Sequence, residues 1–289
     1  LTLLQFILLI IGKMPVFEAL NTAFATAGTG GFGFKNDSFG SYSSYLQIIV
    51  TIFMILFSVN FSSYYLIITG KLKDAFNSEF RLFFLIVGAS IAVITVNVEH
   101  IFGSISEALK HSAFTVATII STTGFSTADF DMWPELSRTI LVILMFIGAC
   151  AGSTGGGIKI SRIIILFKGM AKELEQLVHP RQVKKITVDS HPIDHETVRS
   201  VNVYMVCYVM IFVISLIAIS FDNHDLITNF TAVAATMNNI GPGLELVGPT
   251  QNFGFFSYPT KLILIFDMLA GRLELFPMLL LFSKSTWKA

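Results

Sequence analysis

Long apolar stretches alternate along this chain with apolar stretches too short to cross a membrane. The long runs occupy roughly 45–69, 81–98, 136–175, 199–220 and 259–283, and a transmembrane helix needs about 20 such residues. Each is a predicted span. Between them lie 16–28, 106–121 and 225–238. At about 1.5 Å per residue these reach only halfway through a hydrocarbon core of about 30 Å. They must enter and come back. Each climbs into small polar residues and breaks at glycine: Ala27-Gly28-Thr29-Gly30-Gly31-Phe32, Ser121-Thr122-Thr123-Gly124-Phe125 and Asn238-Asn239-Ile240-Gly241-Pro242. A pattern written three times between spans predicts repeated helix–re-entrant loop–helix units, because irregular backbone at membrane depth survives only where it lines a wet cavity. The span predicted over 136–175 is itself interrupted by Gly152-Ser153-Thr154-Gly155-Gly156-Gly157. A helix does not run unperturbed through that segment.

Composition agrees with bilayer as the solvent. The chain has 289 residues, 53% of them hydrophobic and 13% charged, with mean hydropathy +0.72, whereas soluble domains are about one quarter charged. The zero net charge is uninformative, because charge is segregated by side. Lys71, Lys73, Arg81, Lys159, Arg162, Lys168, Lys172, Arg181, Lys184, Lys185, Arg199, Lys284 and Lys288 gather on one face, which is thereby predicted to be cytoplasmic. The opposite face carries Asp37, Glu99, Glu107, Asp129, Asp131, Glu135, Asp222, Asp225 and Glu245. An acidic outer face gathers cations. All three re-entrant loops open to that face, so they can meet around one axis. Cys150 and Cys207 lie inside apolar runs and read as buried small hydrophobes. No signal peptide is visible. The chain begins within an apolar run, Leu1 to Gly12, too short to span, and is expected to be cut from a longer protein.

The chemistry follows from the loops. A helix entering from outside points its C-terminal carbonyls, worth about half a negative charge, at the membrane middle. The return segments, Thr29 to Phe32, Thr122 to Phe125 and Asn239 to Pro242, can turn carbonyls toward the axis, replacing the hydration shell of a monovalent cation. Glycine supplies the backbone angles this needs. The spacing of Gly152 and Gly157 hints at a phosphate loop, but Ile158 stands where lysine is required and no strand precedes it. A flexible loop narrowing the path beneath the filter is the reading adopted. Arg272 sits near the middle of the last predicted span, where a charge costs about 3 kcal/mol unless it meets water or a partner. Two readings stay open for it: an ion pair with Glu274 or Asp267, or a positive charge facing the pore as a barrier. His191 and His195, four apart, fit a polar cytoplasmic loop better than a metal site. The basic segment from Arg181 to Lys185 would meet headgroups, a cytoplasmic partner or only water. Nothing points to an enzyme, a cofactor or a nucleic-acid partner.

At these residues the chain resembles the ion-conducting subunit of the bacterial Trk/Ktr/HKT potassium transporter superfamily, TrkH type. The likeness is carried by Gly148-Ala149-Cys150-Ala151-Gly152-Ser153-Thr154-Gly155-Gly156-Gly157-Ile158-Lys159, Asn238-Asn239-Ile240-Gly241-Pro242-Gly243, Gly271-Arg272-Leu273-Glu274 and Leu177-Val178-His179-Pro180-Arg181. It implies an all-α integral membrane protein of the bacterial inner membrane, with four helix–pore loop–helix units around one cation pore. Units two to four are expected here: 1–69, then 81–175 with the loop 152–157, a cytoplasmic connector over 176–198, then 199–283 and a tail over 284–289. The resemblance assigns the filter to Thr29, Gly30, Gly31, Thr122, Thr123, Gly124, Asn239, Ile240 and Gly241, with K+ at the carbonyls of Gly31, Gly124 and Gly241. It assigns the gate to Gly152, Ser153, Thr154, Gly155, Gly156, Gly157 and Arg272. It also implies a homodimer gated by a TrkA-like cytoplasmic nucleotide-binding subunit. Unit one is absent, and in relatives its filter position separates potassium-selective from sodium-permeable forms. A sodium-coupled carrier and a non-conducting scaffold of the same fold are the competing functions.

Overall fold

The computed structural model describes residues 1–180, 185–189, 191–273, 275–283 and 286–287. The helices are α1 (Thr2–Ile11), α2 (Val16–Ala27), α3 (Ser44–Ser58), α4 (Phe61–Ile68), α5 (Leu72–Ala75), α6 (Ser78–Phe102), α7 (Ile105–Ile120), α8 (Glu135–Ile147), α9 (Ile160–Val178), α10 (His195–Ile219), α11 (Leu226–Met237), α12 (Tyr258–Arg272) and α13 (Leu275–Leu281). A two-residue antiparallel pair, β1 (Thr187–Val188) and β2 (His191–Pro192), precedes α10. Three times a short helix, α2, α7 or α11, follows an apolar helix and precedes another. The architecture is all-helical.

Among the described residues, α6 and α10 are long and apolar enough to cross a bilayer, and α3 with α4 form a third, broken pair. Exposed apolar side chains such as Leu85, Val96, Val206, Ile214, Ile217 and Leu262 are what helices in lipid present outward. The interior divides into a large cluster joining α6–α8 to α10–α12, and a smaller one in which Leu9, Met14, Val50 and Met54 meet Phe114 and Phe125.

Three predicted spans are not continuous helices. The stretch 45–69 bends by 91° between α3 and α4. Val59 is extended there, and the Asn60 side chain caps α4 by accepting from the Ser62 amide at 2.8 Å. The bend is held from outside: Cys150 donates to the Ser58 carbonyl, Thr154 to that of Phe57, and Phe61 donates to that of Gly152. The run 136–175 is α8 and α9 with a non-helical segment over 148–159, wider than the glycines alone. The run 259–283 breaks after Arg272. Pro277 lacks the amide that would reach the Leu273 carbonyl, and its ring crowds that carbonyl.

Candidate cation filter and its loop

Each short helix closes in the same way. In the first, the amide of Thr29 donates to the Thr26 carbonyl and that of Gly30 to Ala25; Thr122 and Thr123 do this to Ile119 and Thr118, and Asn239 and Ile240 to Thr236 and Ala235. These paired bonds form a left-handed C-cap. Thr29, Thr122 and Asn239 accordingly have φ of +50°, +58° and +58°, and two residues later Gly31, Gly124 and Gly241 have +69°, +90° and +110°. The sequence reading placed the unusual backbone on glycine alone. In fact its first position is non-glycine in all three copies, at about 1 kcal/mol or more each, held by the two closing bonds. The same bonds occupy two carbonyls of each last turn, so fewer are free to face the membrane middle than the helix-end argument supposed.

The return segments lie side by side. A Cβ on Gly31 would stand 1.9 Å from the Thr123 carbonyl oxygen, and one on Gly124 would stand 2.0 Å from that of Ile240; one on Gly241 would meet only the Gly124 Cα, at 4.0 Å. Backbone meets backbone from the first copy to the second and from the second to the third. A cavity of about 720 Å³ opens beside them, lined by Gly31, Gly124, Gly241, Lys261, Met268 and Arg272.

The segment 148–159 crosses the inner ends of all three short helices. Thr154 accepts from the Thr29 hydroxyl at 3.2 Å, and the Gly156 amide donates to the Thr122 hydroxyl at 2.6 Å. A Cβ on Gly156 would lie 2.5 Å from the Asn238 carbonyl, and one on Gly155 would lie 3.0 Å from that of Ser121. Gly148, Gly152, Gly157 and Lys159 all have positive φ, and the Lys159 ammonium donates to the Gly155 carbonyl. Ser153 closes a local turn by donating to Cys150 at 2.6 Å.

Arg272 reaches the same place from α12. Its guanidinium donates to the Thr29 hydroxyl at 3.0 Å, the Thr154 carbonyl at 3.1 Å and the Gly28 carbonyl at 2.8 Å. Gly271 makes this approach possible, since a Cβ there would sit 1.9 Å from the Met237 carbonyl. Asp267 is not its partner: that carboxylate accepts from Ser215 at 2.7 Å. Glu274 lies outside the described residues, as do Arg181, Lys184, Lys284 and Lys288. Cys150 is buried and Cys207 half-buried, both as free thiols. His191 falls in β2 and His195 begins α10.

The acidic outer face is largely engaged in structure. Arg138 bonds Asp131, Glu135 and Glu245, Glu107 pairs with Lys110, and Asp225 caps α11. Sequence reasoning missed Arg138, Asn60 and Glu79 as organising residues. Glu79, a carboxylate at the start of an apolar run, and Asn60, a helix-capping residue type within one, carried a visible signal.

The family model for TrkH, a cation transport protein, matches residues 7–288. The chain is 34% identical over 280 residues to the Trk system potassium uptake protein TrkH of Salmonella typhimurium, covering 95% of this chain and 58% of that protein. It is 32% identical over 280 residues to the Trk system potassium uptake protein TrkG of Escherichia coli, covering 96% and 57%. The crystal structure of the potassium transporter TrkH from Vibrio parahaemolyticus matches with TM-score 0.91 at 33% identity, over 100% of this chain and 63% of that one. The chain thus spans less than two thirds of the length of these relatives.

Proposed function

This chain belongs to the TrkH family of cation transport proteins, and from that premise we propose that it supplies three walls of a four-walled potassium-uptake pore. It is a membrane protein, and the bacterial inner membrane is the membrane we assign it to. The return segments at Thr29–Gly31, Thr122–Gly124 and Asn239–Gly241 form the filter walls, with K+ held by their carbonyls. The segment 148–159 and Arg272 are the gate below. The observation that supports this most is the pair of bonds from that one segment to the ends of α2 and α7, with its close approach to the end of α11 and Arg272 bridging the segment and the turn after α2. A homodimer and a TrkA-like nucleotide-binding subunit acting from the cytoplasmic side belong to the same proposal.

The test is potassium uptake by the natural protein carrying Gly124→Asp. The new Cβ would fall 2.0 Å from the Ile240 carbonyl, and φ is +90°, so the second and third walls must separate. Uptake is expected to be lost or to lose its preference for K+ over Na+. Unchanged selective uptake with normal membrane insertion would remove Gly124 from the filter.

A further inference from the structure

Glu79 lies at the cytoplasmic start of α6 and is only 8% exposed. One of its oxygens, Oε1, accepts from the Ala151 amide at 2.7 Å and from the Ser161 amide at 3.1 Å. Those amides flank the part of the loop that touches the filter: Ala151 precedes the Gly152–Gly157 run, and Ser161 is the second residue of α9. A single carboxylate therefore pins the beginning and the end of the loop to α6. Its neighbour Ser78 is held in turn from the cytoplasm. The Asp189 carboxylate, in the turn after β1, accepts from the Ser78 amide at 2.8 Å and from its hydroxyl at 2.6 Å. Lys168 of α9 anchors the same hairpin through the Thr187 carbonyl at 2.6 Å.

We propose that Glu79 is the positioning residue that latches both ends of the loop, and that the Asp189–Ser78 contact is where the cytoplasmic hairpin sets that latch. The gating role of the loop rests on the transport reading above; the latch itself does not. Two amides freed at the loop ends would raise the population of a displaced loop, while one acceptor oxygen in place suffices to keep both. The link from Asp189 is short: Ser78, which the hairpin holds, and Glu79, which holds the loop, are adjacent in the chain.

Cys150 reports loop position without any transport assay, because it lies in the loop and is 1% exposed. The experiment uses the natural protein in its membrane with Cys207→Ser, so that Cys150 is the thiol followed within this chain, and measures the rate of Cys150 modification by a small methanethiosulfonate. Glu79→Ala is expected to speed modification about tenfold or more, from loss of the hydrogen bonds to the Ala151 and Ser161 amides. Glu79→Gln removes the same negative charge from beside the Cys150 thiol but keeps an acceptor oxygen, and is expected to be modified more slowly than Glu79→Ala. That difference, free of the charge effect, reports loop position. Asp189→Ala, an exposed change that spares the membrane interior, is expected to speed modification about threefold. An unchanged rate in Glu79→Ala overturns the latch, and Gln behaving like Ala overturns its hydrogen-bond basis. An unchanged rate in Asp189→Ala overturns the cytoplasmic link. A failure of potassium uptake in the parent protein leaves all three rates readable, so the latch and the transport function fail separately.

Discussion

The three acceptors of the Arg272 guanidinium belong to segments far apart in sequence: Gly28 and Thr29 at the close of α2, and Thr154 in the loop. A charge-assisted bond is worth about 1.5–3 kcal/mol when its partners are poorly solvated, and less where water reaches, as it does at this exposed side chain. The planar fork matters as much as the charge, since a lysine ammonium on a flexible stem cannot span the same acceptors. Arg272→Ala is therefore expected to raise cation flux about tenfold when the parent is closed, read as potassium or rubidium flux into proteoliposomes of the natural protein. Arg272→Lys is expected to resemble Ala. If Lys instead keeps flux low, Arg272 acts as a charge barrier rather than a bolt. A fall in flux in Arg272→Ala with normal insertion would reject both.

The loop and the short helices show at the scale of elements what a chain declares about itself. Helices α2, α7 and α11 were legible because an apolar run too short to span, ending in glycine, has no other use in a bilayer. The break at 152–157 was legible for the same reason of local chemistry. The 91° bend at Val59 and Asn60 was not. The polar cluster Ser58, Asn60, Ser62 and Ser63 marks the place, but the bonds that set the angle come from residues 150–154, a tertiary cause that no local window contains. The break after Arg272 is legible in Pro277, which no helix interior accommodates without a kink or break. Thr29 and Thr122 at positive φ run against the propensity of a β-branched residue; the cap imposes them. The Thr122 hydroxyl in return accepts the Gly156 amide. Thr122→Val keeps the shape and removes that acceptor, leaving a buried amide unpaired at a cost of about 1–3 kcal/mol. Its thermal unfolding in detergent is expected at lower temperature than that of Thr122→Ser, which retains the hydroxyl. Equal midpoints for Val and Ser would mean the loop does not depend on this bond.

Across the whole molecule, polar contacts join segments far apart in sequence. The Phe39 amide donates to the Ser126 carbonyl and the Ser126 amide to the Ser38 hydroxyl, joining the segment after α2 to the segment after α7. The segment after α7 is joined to the one after α11 through Asp131, which accepts from the Glu245 amide and from Arg138, and through Asp129, which accepts from Thr250. Arg138 is the centre of this clamp, with a side chain 13% exposed against Asp131 at 18%, Glu245 at 43% and Glu135 at 83%. Those exposures rank the three pairs. The contact with Glu135 is a solvated surface pair worth a few tenths of a kcal/mol, whereas Asp131 and Glu245 would be left as neighbouring negative charges without Arg138. Arg138→Ala is expected to cost about 2 kcal/mol of stability and, by letting the second and third walls move apart, to weaken discrimination between K+ and Na+. Glu135→Ala, changing the same cluster at its wet edge, is expected to leave both within error. Unfolding midpoints at low and high salt, measured beside K+ and Na+ uptake, test the argument. If the two variants lose stability equally and selectivity stays intact, the cluster is a surface charge patch, and the spacing of the walls is set by the packed interior.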